Sequence, residues 1–220
     1  MNIYSKYNDV EAVLKRASLL IMEIERKYIE SMNSETVSND LTIDIRDFLG
    51  YLKSALDFSM KKVSKNNFPI RETEKDFDSL SLIISDKIKF VIKKYQPFNG
   101  NTWIKHVNIL NNELKHVTLL PQKRHETVQK KVSHPSGGSV SWGPGVTFGS
   151  GVSIMGVPIN PVTQMPIPNN VVKTEIIKWV GFTFDSKDIH DLPNGVVVLP
   201  LLKESLEGVI NIVKELEPFI

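Results

Sequence analysis

The residues of this chain best suited to chemistry lie between Trp103 and Val117. There Asn108, Asn112 and His116 recur at successive steps of four, with Lys105 and Lys115 beside them. An imidazole titrates near about 6.5, so His116 could take up or give a proton at neutral pH. The two amides could donate and accept hydrogen bonds, and the lysines could neutralise an anion. Solvated helix faces usually carry Lys and Glu, which makes a ladder of Asn, Asn and His an uncommon choice. A second use for the same groups is structural: Asn112 and His116 could tie neighbouring loops to the helix.

A helix must position them. Trp103, Val107, Leu110, Leu114 and Val117 recur at spacings of three and four, the stripe that a helix buries. At about 100° per residue, Lys105, Asn108, Asn112 and His116 fall on the opposite side. His106 borders the stripe and is expected to be partly buried.

Three helices precede this one. The first covers about Asn8 to Met32, where Asn8 and Glu11 form a capping-box pattern and Val10, Val13, Leu14, Ala17, Leu20, Ile21, Ile24 and Tyr28 form the apolar face. The second covers about Thr42 to Val63, burying Ile45, Phe48, Leu49, Leu52, Ala55, Leu56 and Met60, with Arg46, Lys53 and Asp57 on one flank. Arg46 and Asp57 are expected to tie this helix to the fourth by charge-assisted hydrogen bonds. The third covers about Thr73 to Tyr95, with Ser85-Asp86 able to recap it. Pro97 stops it, Asn99-Gly100 signals a turn, and Asn101 or Thr102 can cap the next helix.

After Pro121 the helical period is lost. Short strands are expected at Thr127–Val132, Val140–Trp142, Val146–Phe148, Val152–Met155 and Thr174–Phe184, joined by glycine turns SGGS, GPG and GSG. The prolines from Pro158 to Pro168 predict an irregular loop. From Pro200, placed at the first helical position, a last helix returns. The fold class is therefore mainly α with a β-rich insertion (α+β). Residues 1–121 form a helical bundle, 122–198 the insertion, and 199–220 the closing helix.

At 220 residues, with 41% hydrophobic and 24% charged, the chain can build one substantial core. A formal charge of +2 does not demand a polyanion as partner. With no cysteine, disulfides, thiolate chemistry and cysteine-based metal sites are excluded, which suits the cytoplasm. The longest apolar run, Val196 to Leu202, is too short to span a bilayer and no signal core is present, so no membrane is expected. His125, Glu126, His134 and His190 lack metal-site spacing, and neither metal nor cofactor is expected. Gly143-Pro144-Gly145 lacks the Lys-Ser/Thr of a phosphate loop and is expected to be turn. The basic run Lys123-Arg124-His125 with Lys130-Lys131 could touch phosphate, although a solvated strand accounts for it more simply. Trp142, Phe148 and Trp179 are expected to pack the sheet, or, if exposed, to stack on bases.

The phrases ALDF (Ala55–Phe58), FPI (Phe68–Ile70), QPF (Gln96–Phe98) and LNNELKH (Leu110–His116), in that order, resemble a group of uncharacterised bacterial proteins. Their helical cores look like the HEPN superfamily, the higher eukaryote and prokaryote nucleotide-binding domains. The resemblance covers residues 1–120 and the final helix. It implies an up-and-down bundle of four to five helices that often dimerises, and in many members a metal-independent ribonuclease of toxin or phage-defence systems. The family motif is an Arg, a polar residue and then a His on one helix, two copies meeting across the dimer. His116 matches the histidine, and Asn111 and Asn112 stand near where the Arg and its polar neighbour belong. The arginine is absent, and Arg46 lies on another helix. The resemblance implies a binding or regulatory module with Asn108, Asn112, Lys115 and Arg46 as contact residues, meeting RNA, a nucleotide or a partner protomer. Its alternative is an endoribonuclease with His116 as the catalytic group.

Overall fold

The computed structural model describes residues 7–34, 36–116, 121–143, 145–167, 172–185, 192 and 195–219. The side chains of Tyr7, Asn8, Lys115, His116, Ile177, Lys178 and Trp179 fall outside that description. The expectations for Asn8, Lys115, His116, Val117, Pro144, Pro168, Trp179 and His190 therefore lie outside it, in whole or in their side chains.

The chain is α+β. Its helices are α1 (Tyr7–Glu30), α2 (Asn39–Val63), α3 (Glu74–Asp78), α4 (Asp86–Lys94), α5 (Thr102–His116) and α6 (Val198–Leu216). The strands are β1 (Gln122–Ser133), β2 (Ser139–Trp142), β3 (Ser153–Ile154), β4 (Val157–Pro158) and β5 (Lys173–Phe184). Two compact units result. One comprises residues 1–123 with 182–220, the other residues 124–181. Among the described residues no helix is long and apolar enough to cross a membrane.

In the helical unit α2 packs against α1, α5 and α6. All seven residues expected on its inner face, Ile45 to Met60, are fully buried. Helix starts follow capping chemistry: the hydroxyls of Ser38, Thr73 and Ser85 accept the N–H groups of Leu41, Asp76 and Ile88 at 3.1, 3.1 and 3.4 Å.

The expected third helix is two, separated by an extended segment. Leu80, Leu82 and Ile84 pack on the core while Ser81 and Ile83 face outward. That alternation has the period of a strand, and a helix there would have turned Leu82 away from the core. The recap at Ser85 is where the sequence put it. The last helix begins at Val198, so Pro200 sits later in the first turn than expected, still where no intrahelical donor is lost.

The β unit has its own small core of Val132, Trp142, Val157, Ile159 and Val172. The sheet order is β2-β1-β5, and β2 lies antiparallel to β1 with Lys130 opposite Trp142. SGGS makes the β1–β2 turn, where Gly137 and Gly138 take φ values of 103° and 88° that other residues rarely adopt. A second hairpin joins β3 to β4 through Met155 and Gly156, both at positive φ, the geometry of a two-residue primed turn. Val146–Phe148, expected as a strand, is irregular, and β4 lies in the stretch expected to be loop. Phe148 is held instead by a side chain: Gln164 accepts its N–H at 2.6 Å and donates to its carbonyl at 3.1 Å, an amide imitating a strand neighbour.

Candidate functional site

The seam of α5 is set by Trp103, Ile104, Val107, Leu110 and Leu114, all buried. Its anchor is an unusual close approach. A Cβ placed on Gly208 of α6 would lie 2.6 Å from Cε2 and 2.8 Å from Cη2 of Trp103, so only glycine lets the indole lie flat on that helix. Asn101 does not cap α5 with its amide nitrogen, which donates to the carbonyl of Lys94 at 2.9 Å.

The seam also takes in Asn111, which the stripe of five did not include. It is 3% exposed, and its Oδ1 has no hydrogen-bond partner among the described residues. The oxygen lies 4.0 Å from where a Cβ on Gly50 of α2 would stand. Its position four residues after Val107 and seven after Ile104 was the signal that could have placed it.

The opposite face emerges as the spacing predicts. Asn112 is exposed and Asn108 half-buried, and neither makes a side-chain hydrogen bond with another described residue. The loop-tying alternative for Asn112 thus finds no bond here. Lys105 is committed: its ammonium pairs with Glu72 at 2.8 Å. His106 is half-buried as expected, and desolvation, helped by the adjacent Lys105 charge, holds its pKa below the ordinary imidazole value.

Arg46 and Asp57 do not tie α2 to α5. The Arg46 guanidinium grips the neighbouring Asp47 through Nε at 3.0 Å and Nη2 at 2.9 Å. Asp57 pairs with Lys53 at 2.7 Å and accepts the N–H of Phe68 at 3.0 Å. A side chain takes the nearest satisfying partner, and each of these has one on its own helix or the loop that follows it.

That last bond belongs to a clamp. Gln96, fully buried, accepts the N–H of Arg71 at 2.8 Å and donates to the carbonyls of Pro69 and Ile92 at 2.9 and 3.1 Å. Three of the four phrases that carry the family resemblance, ALDF, FPI and QPF, therefore meet in one hydrogen-bonded scaffold. In this chain the three phrases together hold the loop after α2. Asp57 and Gln96 were not singled out for this, because sequence spacing gives no hint that residues this far apart share a loop.

The remaining signals are locally absorbed. Lys123 pairs with Asp185 at 2.7 Å and Arg124 with Glu126 at 3.0 Å, while Lys130 donates to the Thr163 carbonyl at 3.2 Å. Lys123, Arg124 and Lys130 of the basic run are thus each committed to a partner within the chain. His125 bonds Thr127 at 2.8 Å and His134 bonds Ser136 at 2.5 Å. Among the described residues no three metal-ligating side chains cluster. Trp142 and Phe148 pack edge to face at 5.3 Å in the β core.

In comparisons with protein-family models, with curated proteins and with solved structures, nothing matches this chain.

Proposed function

We propose that the chain is a HEPN-like helical bundle with a β-rich insertion, working in the cytoplasm as a binding or regulatory module. Its contact surface is the outer face of α5, where Asn108 and Asn112 continue toward Lys115 and His116, and its partner is RNA or a second copy of the chain. The observation that carries this reading is the pair of free amides: exposed or half-exposed, without a bond among the described residues, on a helix whose other side is fully packed. Amides of this kind read base edges and 2′-hydroxyls in unpaired RNA. A second copy finds further support in Leu19, Met22 and Ile29, apolar yet exposed along one stripe of α1.

One observation favours a second reading, a metal-independent endoribonuclease using His116. Arg46 lies four residues from Gly50 and His116 five from Asn111, so each is about 6–8 Å along its helix from the place where α2 meets α5. Arg46 would have to exchange Asp47 for the substrate phosphate, a bidentate acceptor that suits its planar fork.

One experiment separates the readings: mixed single-stranded RNA is incubated with the chain in EDTA and followed by gel retardation and by fragment length. Retention of intact RNA, weakened about tenfold by Asn112→Asp through repulsion of the backbone, supports the binding module. Fragmentation abolished by His116→Ala supports the nuclease. RNA neither retained nor cut, in a chain that light scattering finds monomeric, overturns both.

A further inference from the structure

Beside the clamp lies a cavity of about 400 Å³, bounded by the loop after α2 and the extended segment after α3. It has two kinds of wall. Phe68 and Leu82 give it apolar surface, while Asn66, Asn67, Ser81 and Arg71 bring amides, a hydroxyl and a guanidinium. No carboxylate lines it, and Arg71 is its one cation.

Two features make this more than a surface dent. The first is rigidity. The N–H of Phe68 is held by Asp57, and Gln96 holds both the carbonyl of Pro69 and the N–H of Arg71. The loop that forms one side is therefore fixed from behind by side chains rooted in the bundle. It cannot fold into the void without giving up those bonds, so the cavity stands open before any ligand arrives.

The second is an unspent charge. Arg71 has no carboxylate partner among the described residues, and its Nη1 donates only to the carbonyl of Ile70 at 2.9 Å. Lys53, Lys93 and Lys105 of the same unit, by contrast, are each paired with an acid. A volume of this size lies in the range of small-molecule sites, and a guanidinium over an apolar floor recognises an oxyanion attached to a flat apolar body.

We infer that this cavity is a binding site for a small organic anion, a carboxylate or phosphate monoester on an apolar, planar body. Arg71 grips the anionic head, Asn66, Asn67 and Ser81 orient it, and Phe68 and Leu82 cover the body. The proposal does not depend on the reading given to the outer face of α5.

The test uses the full chain and three naphthalene probes, 1-naphthoate, 1-naphthyl phosphate and the neutral 1-naphthylmethanol, followed by the fluorescence anisotropy of the probe. At least one anion should bind about tenfold or more tightly than the alcohol, as one charge-assisted pair provides. Which anion wins identifies the head group. Arg71→Gln should bring that anion down to the level of the alcohol, and Leu82→Trp, which fills the cavity, should abolish binding of all three. Lys75→Gln, removing an exposed cation outside the lining, should change nothing. Circular dichroism confirms that each variant is folded. Equal binding of anion and alcohol, an Arg71→Gln variant that keeps full affinity, or absence of binding by every probe overturns the proposal. So does loss of binding on Phe90→Ser, which would place the probe in the apolar groove between Phe90 and Phe219 instead.

Discussion

The helical unit and the β unit solve the same problem by different means. In the helical unit a continuous apolar core runs through six helices, and its buried amide Gln96 acts across a long stretch of chain, reaching back to Pro69 and Arg71. Among the described residues the β unit's apolar core is a cluster of five buried side chains, and its order comes from glycine turns and from Gln164 and Asn160, which bond within sixteen residues of themselves. Where apolar burial is plentiful, a polar side chain refines a loop. Where burial is scarce, the polar side chain defines it.

The largest effect that would break this contrast is steric. Gly208→Ala drives a methyl into the Trp103 indole and should cost about 3 kcal/mol, even after the roughly 1 kcal/mol that alanine gains as a helix former. The thermal transition followed at 222 nm should fall accordingly, and Trp103→Phe introduced alongside should recover part of the loss. No recovery at all would mean that the two residues do not meet as described.

A matched pair of amide deletions sharpens the comparison. Gln96→Ala strands buried partners and should cost about 2 kcal/mol, with the native spectrum retained below the transition. Gln164→Ala removes bonds that are individually weaker, worth about 1 kcal/mol together, yet it should shift or broaden the Trp142 indole resonance. If Gln164→Ala leaves that resonance untouched, the β unit is held by its apolar core after all.

The smallest expected effect concerns pH. His106 has a pKa in the folded chain below its unfolded value of about 6.5, so the unfolded chain binds the proton more readily. Stability should therefore decline as pH falls from about 7 through that unfolded value, and level off below the folded one. His106→Gln should flatten this decline in urea titrations, and a variant whose slope equals that of the parent would assign the slope to other groups.

Much of the helical unit was legible because its periodicity is strong. The inner face of α2 was read residue by residue, and Ser85 announced its cap. Leu80 and Ile84 pack on the core as their spacing suggested, but outside any helix, because with Leu82 between them their spacing fits a helix at its ends and a strand in its middle. Ile83, 91% exposed, breaks the tie in favour of the strand. Asn111 was read only as standing near the motif arginine's place, and its burial was missed because a polar residue is left out of an apolar stripe even where its spacing from Ile104 and Val107 fits. The same limit hid Asp57 and Gln96. Periodicity reports which side of an element is dry, and says nothing of which distant backbone a buried amide will satisfy. In the β unit the turns were read from glycine, whereas Val146–Phe148 has strand composition without a strand to pair with. The outer side of α5 was anticipated for Asn108 and Asn112, and the roles of Arg46 and Asp57 were not, because pairing with a neighbour in sequence leaves no long-range trace.

The point where the β segment leaves the bundle has one more consequence. The hydroxyl of Tyr28 bonds Gln122 while its ring stacks on Phe182 at 5.2 Å, and Asp185 N–H meets the Pro121 carbonyl at 2.9 Å. Exit and re-entry thus stand a single peptide's width apart on a common footing. A tight reverse turn could bridge them, so replacing the intervening sixty or so residues by a short linker should close the gap with little strain in the backbone on either side.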